Sequence, residues 1–228
     1  IVDAPQLALL GITVTNPQPA TGGAERESIE HAVNHAPNVF RSLKRAVTAA
    51  DYKALALDFQ GVGKVRAEAV NWNRVTLYIA PQGGGQVSDL LRANLLAYFE
   101  DKRPLSTIIE IEDVDYVNVY VSAEVGVKGY YATEEITEQV QSAAARLLAF
   151  DAVDFGQTLF LSKFYEAIEA VAGVDYVTIT EFRRDGQTVA VEPEGKLTFQ
   201  PNELPKIPDG TGEERYFGGI AVNASGGH

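Results

Sequence analysis

Apolar residues recur along the chain with two spacings, one typical of helices and one typical of strands. From residue 48 the spacing is helical, and Thr48 with Asp51 three residues later matches a capping box at a helix start. Tyr52 begins the apolar side of this helix, and Gly61 is predicted to end it. Two runs of period-two alternation follow within residues 65–80, which predicts a β-hairpin.

The same two spacings return in the second half of the chain. Apolar and polar residues alternate throughout residues 116–127, which predicts a long strand with one face in water. Ser88, Thr133 and Ser162 are predicted N-caps of three further helices, and Gly173 is predicted to end the last of these. The predicted buried stripe of the helix after Thr133 consists of Ile136, Val140, Ala144, Leu147 and Phe150.

A capped helix, a glycine and then a strand occur twice in this order. The glycine is Gly61 in the first occurrence and Gly173 in the second. The repetition predicts an α+β fold of two tandem two-layer modules, each a small mixed sheet covered by helices, after a short helical segment. The predicted modules are residues 21–113 and 114–185. Residues 1–20 are assigned to the tail of an upstream domain and a linker, and residues 186–228 to a loose hairpin and a flexible tail.

Composition narrows the classes of partner and chemistry. The 228 residues carry a formal charge of −12, and this acidic excess disfavours nucleic acid and anionic membranes as partners. No run is long and apolar enough to predict a membrane span. The absence of Cys excludes disulfides, thiolate zinc sites and cysteine nucleophiles, and the absence of Met predicts that the chain is the later part of a longer protein.

The charge is divided unevenly between the predicted modules. Residues 61–113 hold 7 acidic and 6 basic side chains, whereas residues 114–187 hold 12 acidic and 5 basic ones. An electrostatic partner of the second module is therefore expected to be basic.

Two clusters have the spacing of ligand sites but lack essential members. His31 and His35 lie one helical turn apart, as in helical zinc sites, but no third ligand is marked and a solvated helix face is the alternative. Gly83, Gly84 and Gly85 stand between a strand and a helix, where phosphate-binding loops occur. No Gly-Lys-Ser/Thr follows them, which favours a flexible connection.

Carboxylates crowd the boundary between two predicted strands, where a pair could share acid and base roles. Period two places Glu110 and Glu112 opposite the isoleucines, on the ordinary solvent face. The cluster consists of Glu110, Glu112, Asp113 and Asp115. The sequence therefore predicts no catalytic, cofactor-binding or metal-binding residues and no cofactor.

The order of several short motifs resembles the baseplate J-like family. The resemblance covers about residues 10–185, and its shared order is more specific than any single motif. The motifs include Asn16-Pro17, Glu27-Ser28-Ile29-Glu30, Ala36-Pro37, Arg45-Ala46-Val47-Thr48, Asp51-Tyr52, Gly61-Val62 and Arg103-Pro104-Leu105. Members of this family are wedge components of baseplates in contractile phage tails and related bacterial injection systems.

The resemblance implies a structural wedge subunit that acts by assembly rather than by catalysis. It implies partners among other wedge and hub proteins and copies of the chain in a ring, located in a virion tail baseplate or, during assembly, in the bacterial cytoplasm. The residues expected to contact partners are Tyr130, Tyr131, Arg41 and Arg45, because turn aromatics are common in interface cores and small basic clusters in docking patches. Two alternatives stay open: a small-ligand-binding module and a metal-dependent hydrolase.

Overall fold

The computed structural model describes residues 45–208 and 220–227, together with Ile29 in the N-terminal region. The segment 1–20 assigned to an upstream domain and most of the predicted short helical segment that follows it lie outside the described residues. Among the described residues, none of the helices has the length and apolar character that crossing a bilayer requires.

The first module is a three-stranded sheet with two helices. Its elements are α1 (Ala49–Leu57), β1 (Val62–Asn71), β2 (Arg74–Pro81), α2 (Asp89–Phe99) and β3 (Ile108–Asp113). The sheet order is β1-β2-β3, with β1 and β2 antiparallel and β2 and β3 parallel. The predicted hairpin is confirmed, and a two-residue turn joins its strands at the pair Asn71 and Arg74.

Alternation in the strands decides which face of this sheet is buried. Val65, Leu77 and Ile79 point to one face, where they are at most 1% exposed and pack with side chains from both helices. The outer face carries charged and polar side chains such as Arg74 and Glu110. This apolar cluster draws on residues between Ala46 and Ile111.

The second module is built around one long strand. Its elements are β4 (Asp115–Val127), α3 (Thr133–Arg146), β5 (Leu159–Phe160), α4 (Leu161–Glu169), β6 (Val174–Arg184), β7 (Lys196–Leu197), β8 (Glu203–Lys206) and β9 (Ala221–Gly226). β6 pairs with β4 in antiparallel fashion. The other edge of β4 is shared by two parallel strands, β8 along its first residues and β9 along its last. The mixed sheets and the four helices given for residues 45–208 confirm the predicted α+β class.

The C-terminal region differs from the predicted loose hairpin and flexible tail. β7 pairs with β5, while β8 and β9 add to β4, so strands of this region pair with earlier parts of the chain. Turn residues such as Pro193 and Gly195 predicted a local hairpin. The edge of β4, however, has backbone N–H and C=O groups that need hydrogen-bond partners, and short strands from the C-terminal region provide them. The predicted boundaries of the domains stay predictions.

The solvent face predicted for β4 is partly wrong. Glu124 is exposed, but Ser122 is only 7% exposed and Gly126 is also buried. The ring of Tyr176, on the neighbouring strand β6, lies directly over Gly126 and leaves no room for a side chain there. The alternation of apolar and polar residues identifies the two faces of a strand. The side chains on neighbouring strands determine how exposed to solvent each position is.

Two of the four predicted N-caps are correct. Thr48 and Ser88 accept hydrogen bonds from the backbone N–H groups of Asp51 and Leu91. The prediction for Thr133 is wrong, since Ala132 is the N-cap and the hydroxyl of Thr133 donates instead to the Gly226 carbonyl at 2.5 Å. The prediction for Ser162 is also wrong, because α4 already begins at Leu161, after the N-cap Phe160.

Candidate interaction surfaces

A capping box stabilises the N-terminus of α1, the first helix of the first module. The Thr48 hydroxyl accepts from the Asp51 N–H at 3.2 Å, and the Asp51 carboxylate accepts from the Thr48 N–H at 2.8 Å. Tyr52 follows and is 1% exposed, with its ring centroid 5.5 Å from that of Phe99. Burial raises the pKa of the Tyr52 hydroxyl, although Thr107 and Arg103 act in the opposite direction. These residues hold α1 against the core, which is a structural role.

Gly61 and Gly173 occupy equivalent places, one residue before β1 and β6 respectively. Both have positive φ, +93° and +104°. The prediction that they end helices is wrong in position, because α1 stops at Leu57 and α4 at Glu169, in each case four residues earlier. Each glycine turns the chain from the loop into the strand, a conformation that costs glycine little.

The two tyrosines expected to contact a partner have different surroundings. Tyr130 is 97% exposed, whereas Tyr131 is 40% exposed and its ring lies against Gly173. A Cβ atom on Gly173 would come within 2.8 Å of Tyr131 Cγ. Tyr131 therefore contributes to packing within the module, and Tyr130 alone of the two presents nearly its whole side chain to solvent.

The basic cluster is only partly described. Arg45 is exposed, and the N–H of the following residue, Ala46, donates to the Lys102 carbonyl at 2.9 Å. Arg41 lies outside the described residues, as do His31 and His35 of the half zinc motif. Within residues 45–208 and 220–227, no three His, Cys, Asp or Glu side chains are grouped to hold a metal ion.

The carboxylates at the boundary of the two modules make structural contacts. Glu110 lies 3.2 Å from Arg74, and Asp113 lies 3.4 Å from Arg92 and accepts from the Val87 N–H at 2.7 Å. Asp115 accepts from the side-chain amide of Asn202 at 2.6 Å. These bonds tie β3 to its helix and the start of β4 to the segment before β8.

The glycine run lies in the cleft between the modules. Gly83, Gly84 and Gly85 all have φ between +81° and +87°. The Tyr116 hydroxyl donates to the Gly85 carbonyl at 3.1 Å. Together with residues of the second module they line a cleft of about 280 Å³. The other lining residues are Leu148, Phe150, Leu204, Pro205, Lys206 and Ile207.

A buried polar network on the second sheet was missed by the sequence reasoning. The Ser122 hydroxyl donates to Glu181 at 2.8 Å, and Arg183 Nε donates to the other oxygen of Glu181 at 2.7 Å. The Arg183 guanidinium lies 4.1 Å from the centre of the Tyr120 ring. Glu181 is only 8% exposed, so its charge is held by these donors rather than by water. The sequence reasoning missed this network because no local spacing pattern indicates that a residue of β4 contacts a residue nearly 60 positions away.

Exposed apolar side chains at and near the hairpin tip were also missed. Trp72 stands in the turn between β1 and β2 and is 86% exposed. Val70 near the end of β1, Leu105 in the loop before β3 and Ile108 at the start of β3 are 55%, 101% and 48% exposed. The available signal was the single Trp of the chain in a polar turn sequence.

The core of the first module coincides with a known family segment. Residues 44–112 match the family model described as the Baseplate J-like central domain, and the first apolar cluster runs from Ala46 to Ile111. This match places residues 44–112 in the baseplate J-like family. The resemblance predicted from the motif order is thereby confirmed.

The fold is similar to a baseplate protein of known structure. Among 20 matching chains is one from the cryo-EM structure of the anti-feeding prophage (AFP) baseplate, 6-fold symmetrised, with a TM-score of 0.59 and 14% identity. The alignment covers 83% of this chain and 44% of that chain, so the present chain spans less than half of its structural neighbour. At this identity the likeness concerns the fold alone. No curated protein sequence matches the chain.

Proposed function

We propose that this baseplate J-like chain is a structural wedge subunit in the baseplate of a contractile phage tail or a related injection system. The observation that carries the proposal is the match of residues 44–112 to the Baseplate J-like central domain, over the segment that forms the first core. The likeness of the fold to a chain of the AFP baseplate supports it over 83% of the residues.

The geometry supports a role in assembly because the two modules are fastened to each other. Ala80 of β2 belongs to the second apolar cluster, Tyr116 of β4 bonds to the Gly85 carbonyl, and Lys64 lies 5.3 Å from the centre of the Phe150 ring. A structural subunit that holds its neighbours in place needs its two modules fixed relative to each other. The carboxylates of Glu110, Asp113 and Asp115 make contacts within the chain.

The proposed partners are other wedge and hub proteins of the same baseplate and further copies of this chain, and the proposed location is the tail baseplate. Tyr130 and the basic residues Arg41 and Arg45 remain predicted contact residues. Tyr130 is the strongest of these because exposing an aromatic ring this fully has a solvation cost that a partner removes.

The proposal is tested by expressing the full chain with the other baseplate proteins of its gene cluster and imaging the particles by cryo-EM. Density for both modules in each wedge is expected. Complete particles that lack the chain, or that form equally well when its gene is deleted, would contradict the proposal.

The contact predicted at Tyr130 is tested with a matched pair of variants. Tyr130→Ser is expected to weaken incorporation into particles without changing the unfolding midpoint, since the ring touches solvent. Tyr131→Ser is expected to lower that midpoint, because the ring packs on Gly173. Normal incorporation of the Tyr130 variant would remove this residue from the interface.

A small-ligand-binding role is the second candidate, favoured by the cleft between the modules. Its volume of about 280 Å³ lies near the lower end for ligand pockets, and Tyr116 and Lys206 supply polar groups at its wall. Calorimetry of the purified chain with a metabolite set tests this role. Absence of any heat of binding, together with incorporation into particles, would leave the assembly role alone.

A further inference from the structure

The outer face of the second sheet, opposite its buried core, carries the polar network of Glu181. Tyr120 of β4 stands opposite Arg183 of β6, and Ser122 stands opposite Glu181. The Arg183 guanidinium lies 4.1 Å from the centre of the Tyr120 ring, and its Nε donates to Glu181 at 2.7 Å. A tyrosine ring and a glutamate at diagonal positions of the two strands therefore hold one arginine side chain between them.

The same arrangement recurs nearer the other end of these strands, with the two strands exchanged. Tyr176 of β6 stands opposite Gly126 of β4, and Thr178 stands opposite Glu124. Tyrosine, a hydroxyl residue and glutamate thus have the same relative positions as in the first arrangement. Gly126 takes the place of Arg183, so these two strands supply no guanidinium there. Tyr176, Thr178 and Glu124 are called the Tyr176 site below.

The Tyr176 site is open to solvent. One side of the Tyr176 ring covers Gly126, and its exposure of 54% leaves the other side accessible. Glu124 and Thr178 are exposed as well. Among the residues that the structure describes, none forms an ion pair or a hydrogen bond with the Glu124 carboxylate. The carboxylate of the first arrangement, in contrast, is buried and accepts from two donors.

An arginine side chain fits this combination of groups better than other ligands do. Its planar guanidinium can lie over an aromatic ring and donate to a carboxylate at the same time. Diagonal positions in an antiparallel pair are about 7 to 8 Å apart, a distance that Arg183 bridges in the first arrangement. An anion would meet the negative charge of Glu124. An apolar group would remove water from that carboxylate without replacing its hydrogen bonds.

The charge around the site indicates where the arginine comes from. Residues 124–135 and 173–178 hold four acidic side chains and one basic side chain. A second copy bound through the same face would bring these acidic groups together, whereas a basic segment of a different protein is attracted to them. Tyr130, three residues beyond the end of β4, is 97% exposed at the same end of the sheet and extends the surface available to such a segment.

We propose that the Tyr176 site binds an arginine side chain in a basic segment of another baseplate protein. The guanidinium of that protein supplies the group that Arg183 supplies in the first arrangement. This inference rests on the proposed assembly role and names the chemistry of one partner contact within it.

The test uses the full chain assembled with the other baseplate proteins of its gene cluster. Thr178 is replaced by the photoreactive benzoylphenylalanine, which leaves Tyr176 and Glu124 in place. After irradiation, mass spectrometry is expected to find this position joined to a basic, arginine-containing peptide of a different baseplate protein. Crosslinks only within this chain or to another copy of it, crosslinks to a peptide without arginine, or no crosslink in particles that contain the chain would overturn the inference. Particles that lack the chain would instead contradict the proposed function.

The role of the carboxylate is measured by calorimetry between the purified full chain and the crosslinked partner. Glu124→Gln is expected to weaken binding about tenfold or more, because the guanidinium is left without its carboxylate. Glu138→Gln is the matched control, since it removes the same charge from an exposed position of α3. Equal affinities of the two variants would overturn the inference.

The role of the ring is measured with Tyr176→Leu, which keeps an apolar side chain over Gly126 but removes the aromatic face. It is expected to weaken binding about two- to fivefold, the usual contribution of an exposed cation–π contact. Glu124→Gln is expected not to lower the unfolding midpoint of the isolated chain. A lowered midpoint would show that an arginine of the same chain fills the site, and full affinity of Tyr176→Leu would exclude stacking on the ring. Either result would overturn the inference.

Discussion

The ring of Phe150 occupies the space that a side chain at Gly63 would need. A Cβ atom on Gly63 would lie 2.8 Å from Phe150 Cε1 and 2.9 Å from the Pro81 carbonyl oxygen. Gly63 belongs to β1 of the first module, and Phe150 follows α3 of the second. The two modules thus meet at a position where only glycine fits, and Lys64 covers the same ring from one side.

Gly63→Val is expected to loosen this junction. The ring can rotate away, but the Pro81 carbonyl belongs to the backbone, so the strand itself must shift. Overpacking of this kind costs about 1 to 3 kcal/mol. Denaturant unfolding measures the loss, and faster proteolysis between the modules would locate it. An unchanged free energy of unfolding would show that the junction tolerates a side chain.

Gly173→Ala is expected to destabilise the protein for two separate reasons. Its φ of +104° is strained for alanine, and the new Cβ would lie 2.8 Å from both Ile136 Cδ1 and Tyr131 Cγ. Gly186→Ala is the control, because Gly186 has φ of +80° but no atom within 4 Å of an added Cβ. Backbone strain alone costs about 1 kcal/mol or more. Equal losses in the two variants would show that the contact with Tyr131 contributes nothing.

Leu148→Ala is expected to cost about 2 to 5 kcal/mol, as truncation of a buried leucine does. Leu148 is 3% exposed in the second core, while its neighbour Leu147 is only half-buried. Leu147→Ala is accordingly expected to cost less, which corrects the predicted buried stripe at the position of Leu147. Urea unfolding of both variants decides the order, and a larger loss for Leu147 would contradict the assignment.

Glu203 is expected to stabilise the folded protein at pH values above 4.5, the ordinary pKa of a glutamate. Burial alone would raise the pKa, but hydrogen bonds from Arg184 and from the Gln200 N–H, both at 2.6 Å, prevail and hold it below that value. Because the folded form has the lower pKa, the contribution is present above the unfolded pKa. It is lost as the pH falls through the folded pKa.

The measurement is the free energy of unfolding during acidification from about pH 5 downward. Glu203→Gln is expected to flatten this dependence. Glu194→Gln, which removes an exposed pair with Lys196, should leave it nearly unchanged, since exposed pairs add little. An identical acid profile for the Glu203 variant and the unchanged chain would exclude a role for this ion pair.

Local patterns predicted the elements that depend on neighbours in sequence. The capping box of Thr48 and Asp51 was found because its donors and acceptors lie three residues apart. The prediction for Thr133 failed because its hydroxyl donates a hydrogen bond to the Gly226 carbonyl, 93 positions away. The Ser122 and Glu181 pair was missed for the same reason, since no spacing marks partners 59 residues apart.

By itself the sequence determined the α+β class, the first-module hairpin, the long strand and the resemblance to the baseplate J-like family. Each of these depends on spacing over a few residues or on the order of motifs. Only the tertiary structure decided that the C-terminal strand completes the sheet beside β4, that Tyr131 packs inward while Tyr130 faces solvent, and that Trp72 is left exposed. The physical reason is that pairing and burial join groups far apart in the chain, whose meeting depends on how the whole chain packs.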